Sequence, residues 1–261
     1  MPPEVISRHF DAMGTTCSLF AVDADLSEGE RWVRRIGERL SRFSPDSELA
    51  RLNAHAGEWF PIGVELESVL RAALEAYRMS SGLVNAAVLP SMVAIGYSRS
   101  LAEGRSVATL DGARPLPPVP EVLEVRPGRA RVARGSGIDL GGVAKGWMAD
   151  RLSETLGPSC VVNLGGDLRV KGRWPIGMGE ATLMLHDQGA ATSSTRKRRW
   201  GDLHHLIDPR TGLPSQTGLD EVSVVAATAF EAEVVAKTAL LLGPSLAPTY
   251  CASHAMAWWL G

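Results

Sequence analysis

The segment IDLGGVAKG at 138–146 constrains this chain more than any other stretch. It joins an apolar strand end to a helix through two adjacent glycines and sets Lys145 in the first turn of that helix. Glycines let backbone N–H groups approach an anion closely, and a helix N-terminus favours negative charge. Val143, Trp147 and Leu152 continue the helical face toward a stop at Gly157, and strand-like CVVNLGG (160–166) and DLRVKG (167–172) follow. A strand, a glycine turn, a helix and two more strands in succession require helices layered on a sheet. Taken alone, the same segment also fits a tight turn with a solvated lysine, so Lys145 and the neighbouring Asp139 are candidates rather than assignments.

The rest of the chain has the same mixed character. Strands are expected at 16–22, 129–134, 181–186 and 221–227. Trp32, Ile36, Leu40 and Phe43 share one face of a helix over about 28–43, and Leu66, Val69, Leu70, Ala73 and Tyr77 share one over about 64–79. Between these lies a loop with a short helix beginning at Glu48, capped by Asp46 or Ser47. A further helix spans roughly 230–242 and stops at Gly243. The stretch 98–127 is rich in proline and glycine, with PLPPVP at 115–120, which predicts extended backbone in a surface excursion or a subdomain connection. The fold class is α+β or mixed α/β, with no internal repeat, and 261 residues fit one domain over 1–261.

Composition narrows the partners. The 27 basic and 29 acidic residues give a net charge of -2, without the broad cationic field that nucleic acid or an anionic membrane would need. Any phosphate site must be local. Lysine occurs only at positions 145, 171, 197 and 237, so each lysine carries information. Cys17, Cys160 and Cys251 are far apart and lack a CxxC pair, which predicts packed, reduced thiols. The start MPPEVISRHFDAMG shows no secretory leader and no later stretch has 18 uninterrupted apolar residues, so a cytoplasmic location is expected.

Three further motifs carry chemistry or a simpler alternative. In VVNLGGDLRVKG (161–172) the double glycine reads as a bulge, with Asp167 free to bond a loop or a ligand. HHLIDPRTGLP (204–214) contains turn chemistry in DPRTG, beside a histidine pair whose members face opposite ways if extended. His205 is the candidate general base and Asp208 the candidate orienting group. In AEVVAKTALLLG (232–243), Glu233 and Lys237 are spaced as an i,i+4 ion pair, but on a helix too apolar for a simple surface pair.

Taken together and in this order, the motifs resemble the ApbE family, the FAD:protein FMN transferases. The resemblance runs from AMGTT (12–16) through SRFSPDSELARLN (41–53), SSGLVNAAVLPSM (80–92), IDLGGVAKG, VNLGGDLRV and HHLIDPRTGLP to the helix at 232–243. It implies an α+β, T-fold-like architecture of mixed sheets with flanking helices, and FAD in a cleft between a larger and a smaller subdomain. It implies transfer of FMN from FAD to a threonine hydroxyl of an acceptor flavoprotein, with release of AMP. Met13, Phe43, Leu83, Val84, Asn85, Asp139, Lys145 and Leu206 match FAD-contacting positions, Phe43 standing where the family often has tyrosine. His205 matches the base.

Departures from the family pattern shape the expectation. Gly82–Asn85 stands where GAFD is usual, putting an amide in place of a carboxylate, and Thr192–Ser194 stands where TSG is usual. The resemblance assigns magnesium to Gly142, Glu233, Ala236 and Lys237, yet the family has aspartate and threonine where this chain has Glu233 and Lys237. Magnesium takes oxygen ligands, and an ammonium is neither a ligand nor a compatible charge. Lys237 is therefore expected to stand in for the ion, or else to fill a vacant site by pairing with Glu233. The competing functional reading is a non-catalytic or repurposed FAD-binding protein of the same fold that has lost the magnesium site.

Overall fold

The computed structural model describes residues 4–100, 107–179 and 181–261. Its backbone is a seven-stranded sheet of β1 (Val5–Ala12), β2 (Thr15–Val22), β3 (Cys160–Leu164), β4 (Asp167–Lys171), β5 (Gly189–Ser194), β6 (Glu221–Ala226) and β7 (Ala257–Leu260). Each strand pairs with its neighbour in chain order, and every pairing is antiparallel. Alternation sorts the side chains: Val162 and Leu164 join the main core, whereas Val161, Leu168, Val170, Ala190 and Val225 face the other way, with Leu185 of a hairpin formed by Arg173–Met178 and Ala181–His186.

The helices are α1 (Leu26–Arg39), α2 (Glu48–Ala54), α3 (Val64–Met79), α4 (Leu89–Ala94), α5 (Val119–Val122), α6 (Ala144–Ser153), α7 (Ala229–Leu242) and α8 (Ala247–His254). Buried residues of α1, α2, α3 and α6 form the main core with β2 and β3, and α7 and α8 build a second core against β6. Helix α7 has a capping box between Thr228 and Glu231. Asp150 of α6 adds to it, its two carboxylate oxygens accepting from the N–H groups of Ala229 and Phe230 at 2.9 Å. This fixes α7 on α6, and with it the placement of Glu233 and Lys237.

Several expectations needed revision. α1 ends at Arg39, leaving Phe43 in a loop where Ser41 and Ser47 offer the backbone local partners and Pro45 prevents helix. Ser47, not Asp46, caps α2, its Oγ accepting from Ala50 N at 2.9 Å. The Gly165–Gly166 pair is no bulge. Both residues have positive φ, 72° and 103°, and form the two-residue turn of the β3–β4 hairpin. Residues 101–106 of the expected excursion lie outside the described residues. Beyond them, VPEV forms one helical turn rather than extended backbone, since Pro120 in a first turn sacrifices no helical hydrogen bond. β1, β5, β7 and α8 were not anticipated. The three cysteines are free and buried, and burial pushes the Cys17 and Cys160 thiols up to about 11. Among the described residues, no helix is long and apolar enough to cross a membrane.

Candidate active site

A cavity of about 890 Å³ opens beside the N-terminus of α6 and one side of α7. Its size lies in the range of small-molecule and cofactor pockets. Met13, Phe43, Leu83, Val84, Asn85, Asp139, Gly142, Lys145, His205, Leu206 and Lys237 all line it, although they come from segments spread over more than 220 residues of chain. Met13 enters through the β1–β2 turn, where it adopts a left-handed φ of 54° beside Gly14. Its side chain rests on Gly37 of α1, where a Cβ would stand 2.7 Å from Met13 Cγ. Asn85 is held by its own turn: Oδ1 accepts from Ala87 N at 3.0 Å, and Nδ2 donates to Pro117 O at 2.9 Å.

The two histidines separate as an extended segment requires. His204 is buried, with Nε2 2.9 Å from Ser215 O and Nδ1 accepting from Leu206 N at 3.3 Å. His205 faces the cavity, and its buried Nδ1 has no hydrogen-bond partner among the described residues. Burial, reinforced by Arg198, Lys237, Lys145 and His204, holds the His205 imidazole well below the ordinary histidine range. It is neutral at pH 7 and able to accept a proton.

Two of the expected site residues are engaged by other partners. Asp208 does not orient His205: Oδ1 accepts from the N and Nε of Arg210 at 2.9 Å, and Oδ2 from Nη2 at 2.6 Å, so its carboxylate stabilises the DPRTG turn. Lys145 lines the cavity, and its ammonium is engaged by the Asp167 carboxylate and by Glu233 Oε1 at 3.2 Å. Burial pulls the Lys145 ammonium down to about 8, with Glu233 opposing the shift.

The proposed magnesium positions converge, but their atoms do not make a metal site. Glu233 Oε2 accepts from Gly146 N at 2.9 Å while Oε1 faces Lys145. Burial works against the Glu233 carboxylate, yet Lys145 and Lys237 outweigh it and keep the group below its ordinary range. Ala236 is packed in the second core and, like Glu233, does not line the cavity. Lys237 Nζ donates to Gly142 O at 2.7 Å, taking the carbonyl that would face an ion. Among the described residues no cluster of three His, Cys, Asp or Glu side chains could hold a metal. These residues do not fit magnesium.

Sequence reasoning missed three side chains at the cavity wall. Arg42 lies over Phe43 and Tyr97, its guanidinium carbon 4.1 and 4.6 Å from the ring centroids, and pairs with Asp139. Arg198 reaches the Met13 carbonyl at 3.4 Å. The RKRR run at 196–199 was a signal for Arg198, but Arg42 and Tyr97 carry none that sequence spacing reveals.

Fold and site together make this an α+β protein with a cavity rimmed by cations, glycine turns and an imidazole whose Nδ1 has no partner among the described residues. The sequence profile of the ApbE family matches residues 13–259, and the chain belongs to that family. A FAD:protein FMN transferase of Haemophilus influenzae is 24% identical over 92% of this chain and 81% of its own length. One of Klebsiella pneumoniae is 33% identical, over 42% of this chain and 39% of that protein. The crystal structure of the ApbE protein of Thermotoga maritima superposes with a TM-score of 0.84 at 22% identity, over 98% of this chain and 94% of that one.

Proposed function

We propose that this protein binds FAD in the cavity and transfers its FMN portion to a threonine hydroxyl of an acceptor flavoprotein. The acceptor Oγ attacks the phosphorus attached to riboflavin. The bridging P–O bond breaks, AMP departs with that bonding pair, and a phosphoester remains on threonine. The hydroxyl proton goes to His205, the neutral imidazole on the cavity wall. Arg198 and Lys237 supply positive charge toward the pyrophosphate, and the glycine turn at 141–142 supplies close backbone approach. The observation that carries the reading is the convergence of residues from distant motifs on one cavity with an unpartnered His205 Nδ1. In the test, the protein is incubated with FAD and a threonine-bearing acceptor domain, and AMP release and protein-bound flavin are followed. Both should appear in equal amounts.

The second reading, FAD binding without transfer, is favoured by one observation: Lys237 occupies the seat that the resemblance assigns to a divalent ion. Tight binding of intact FAD, with no AMP released under any divalent ion, would select it.

A further inference from the structure

We propose that Lys237 is a tethered cation, whose ammonium replaces the divalent ion and holds the pyrophosphate of FAD without metal. The inference rests on reading the cavity as a FAD site. Three facts about the ammonium carry it. It lines the cavity, and its one hydrogen bond among the described residues goes to Gly142 O at 2.7 Å. A lysine ammonium has three N–H donors, so two remain for an anion. Glu233 balances the charge only in part: its Oε1 forms an ion pair with Lys237 at 4.0 Å but lies closer to Lys145, at 3.2 Å, and its Oε2 is bonded to Gly146 N.

The surroundings are built around this placement. Lys237 projects from α7 on the same side as Glu233, one turn away, with 15% of its side chain exposed. Gly142 leaves the space that Nζ occupies, because a Cβ there would lie 2.5 Å from it. With one carbonyl and a carboxylate 4.0 Å away as its partners, this largely covered ammonium is incompletely satisfied, and a pyrophosphate entering the cavity would complete it. A second positive ion seated beside it would meet like-charge repulsion and find the Gly142 oxygen already taken.

The experiment titrates FAD into the full chain, with riboflavin as a probe lacking phosphate, in EDTA and then in magnesium. FAD affinity should agree within about twofold between the two buffers, because the cation travels with the protein. Lys237→Met should lose about 10- to 150-fold in FAD affinity, the range for a charge-assisted hydrogen bond, with riboflavin affinity unchanged. Glu233→Asp combined with Lys237→Thr should recover FAD affinity only when magnesium is present. Wild-type FAD binding that collapses in EDTA and returns with magnesium would overturn the tethered cation while leaving the FAD site standing. Unchanged FAD affinity in Lys237→Met would do the same. Failure of FAD to bind in either buffer would overturn the flavin reading, and the tethered cation with it.

Discussion

The Arg42 guanidinium pairs with the Asp139 carboxylate at the cavity wall, with only 4% and 12% of the two side chains exposed. Asp139 also accepts from Gly141 N at 2.8 Å, so the carboxylate ties the loop after α1 to the glycine turn before α6. Removing one member of a buried pair strands the other charge. Arg42→Met should therefore cost about 3–5 kcal/mol in chemical denaturation. Adding Asp139→Asn should return part of that loss. Strictly additive penalties in the double-mutant cycle would show that the two groups do not depend on each other.

His205 and His204 should separate kinetics from stability. His205→Ala is expected to retain FAD and lose about 10²–10⁴-fold in transfer, the range for a general base. His204→Ala should lower stability, since Ser215 O and Leu206 N lose their partner, with transfer per folded molecule little changed. An equal kinetic loss at both positions would place the base elsewhere.

The pH dependence follows from the depressed His205 imidazole. A base works when neutral, so its activity falls as pH drops through its own pKa. With that pKa lowered by burial and then by Arg198, kcat/KM should stay flat through pH 7, and its acid limb should lie below the ordinary histidine range. Arg198→Met removes the strongest charge acting on the ring, so the limb should move to higher pH. An unmoved limb would mean that Arg198 does not act on His205.

How much of this was legible in the sequence depends on the range of each interaction. Amphipathic spacing delimited α3 at Val64–Met79, and Gly243 marked the end of α7, because both are local signals. β1 was missed: it forms the sheet edge and only Phe10 of its eight residues is buried, so it shows no alternating core pattern. That Met13, Phe43, Leu83–Asn85, Asp139, Lys145 and His205 face one cavity follows the order of the motifs, whereas Asp208, Glu233 and Ala236, named with them, lie off its wall. The partners of Asp139, Lys145 and Asp208 were not readable, since Arg42, Asp167 and Arg210 compete for those charges only once the chain is folded or the turn is closed.

Asp150 should matter to the site without touching it. Its carboxylate satisfies two N–H groups at the start of α7, so Asp150→Ala should cost about 0.5–2 kcal/mol, the range for loss of an N-cap. Asp150→Asn keeps one acceptor oxygen but turns its donor Nδ2 toward the other N–H, so it should recover only part of that loss. If Asp150→Ala unfolds at the wild-type denaturant concentration, the two hydrogen bonds contribute nothing measurable.

Gly142 and Gly146 lie one turn apart, and alanine should act at them in opposite ways. At Gly146 an added Cβ would meet Ala229 O at 2.7 Å and Phe230 Cα at 2.8 Å. Both are backbone atoms at the start of α7, so α6 and α7 would have to separate, stretching the Gly146 N–H bond to Glu233. Overpacking of this kind costs about 1–3 kcal/mol, and Gly146→Ala should unfold at a clearly lower denaturant concentration. At Gly142 the three atoms nearest the added Cβ all belong to Lys237, Nζ at 2.5 Å being the closest, at the free end of a flexible side chain. Gly142→Ala should therefore keep nearly all its stability but displace the ammonium, lowering FAD affinity while riboflavin affinity holds. Denaturation and flavin titration of the two variants together check this. Equal stability losses would mean that α6 and α7 adjust freely at Gly146, or that Gly142 has a packing role which the Lys237 contact does not explain.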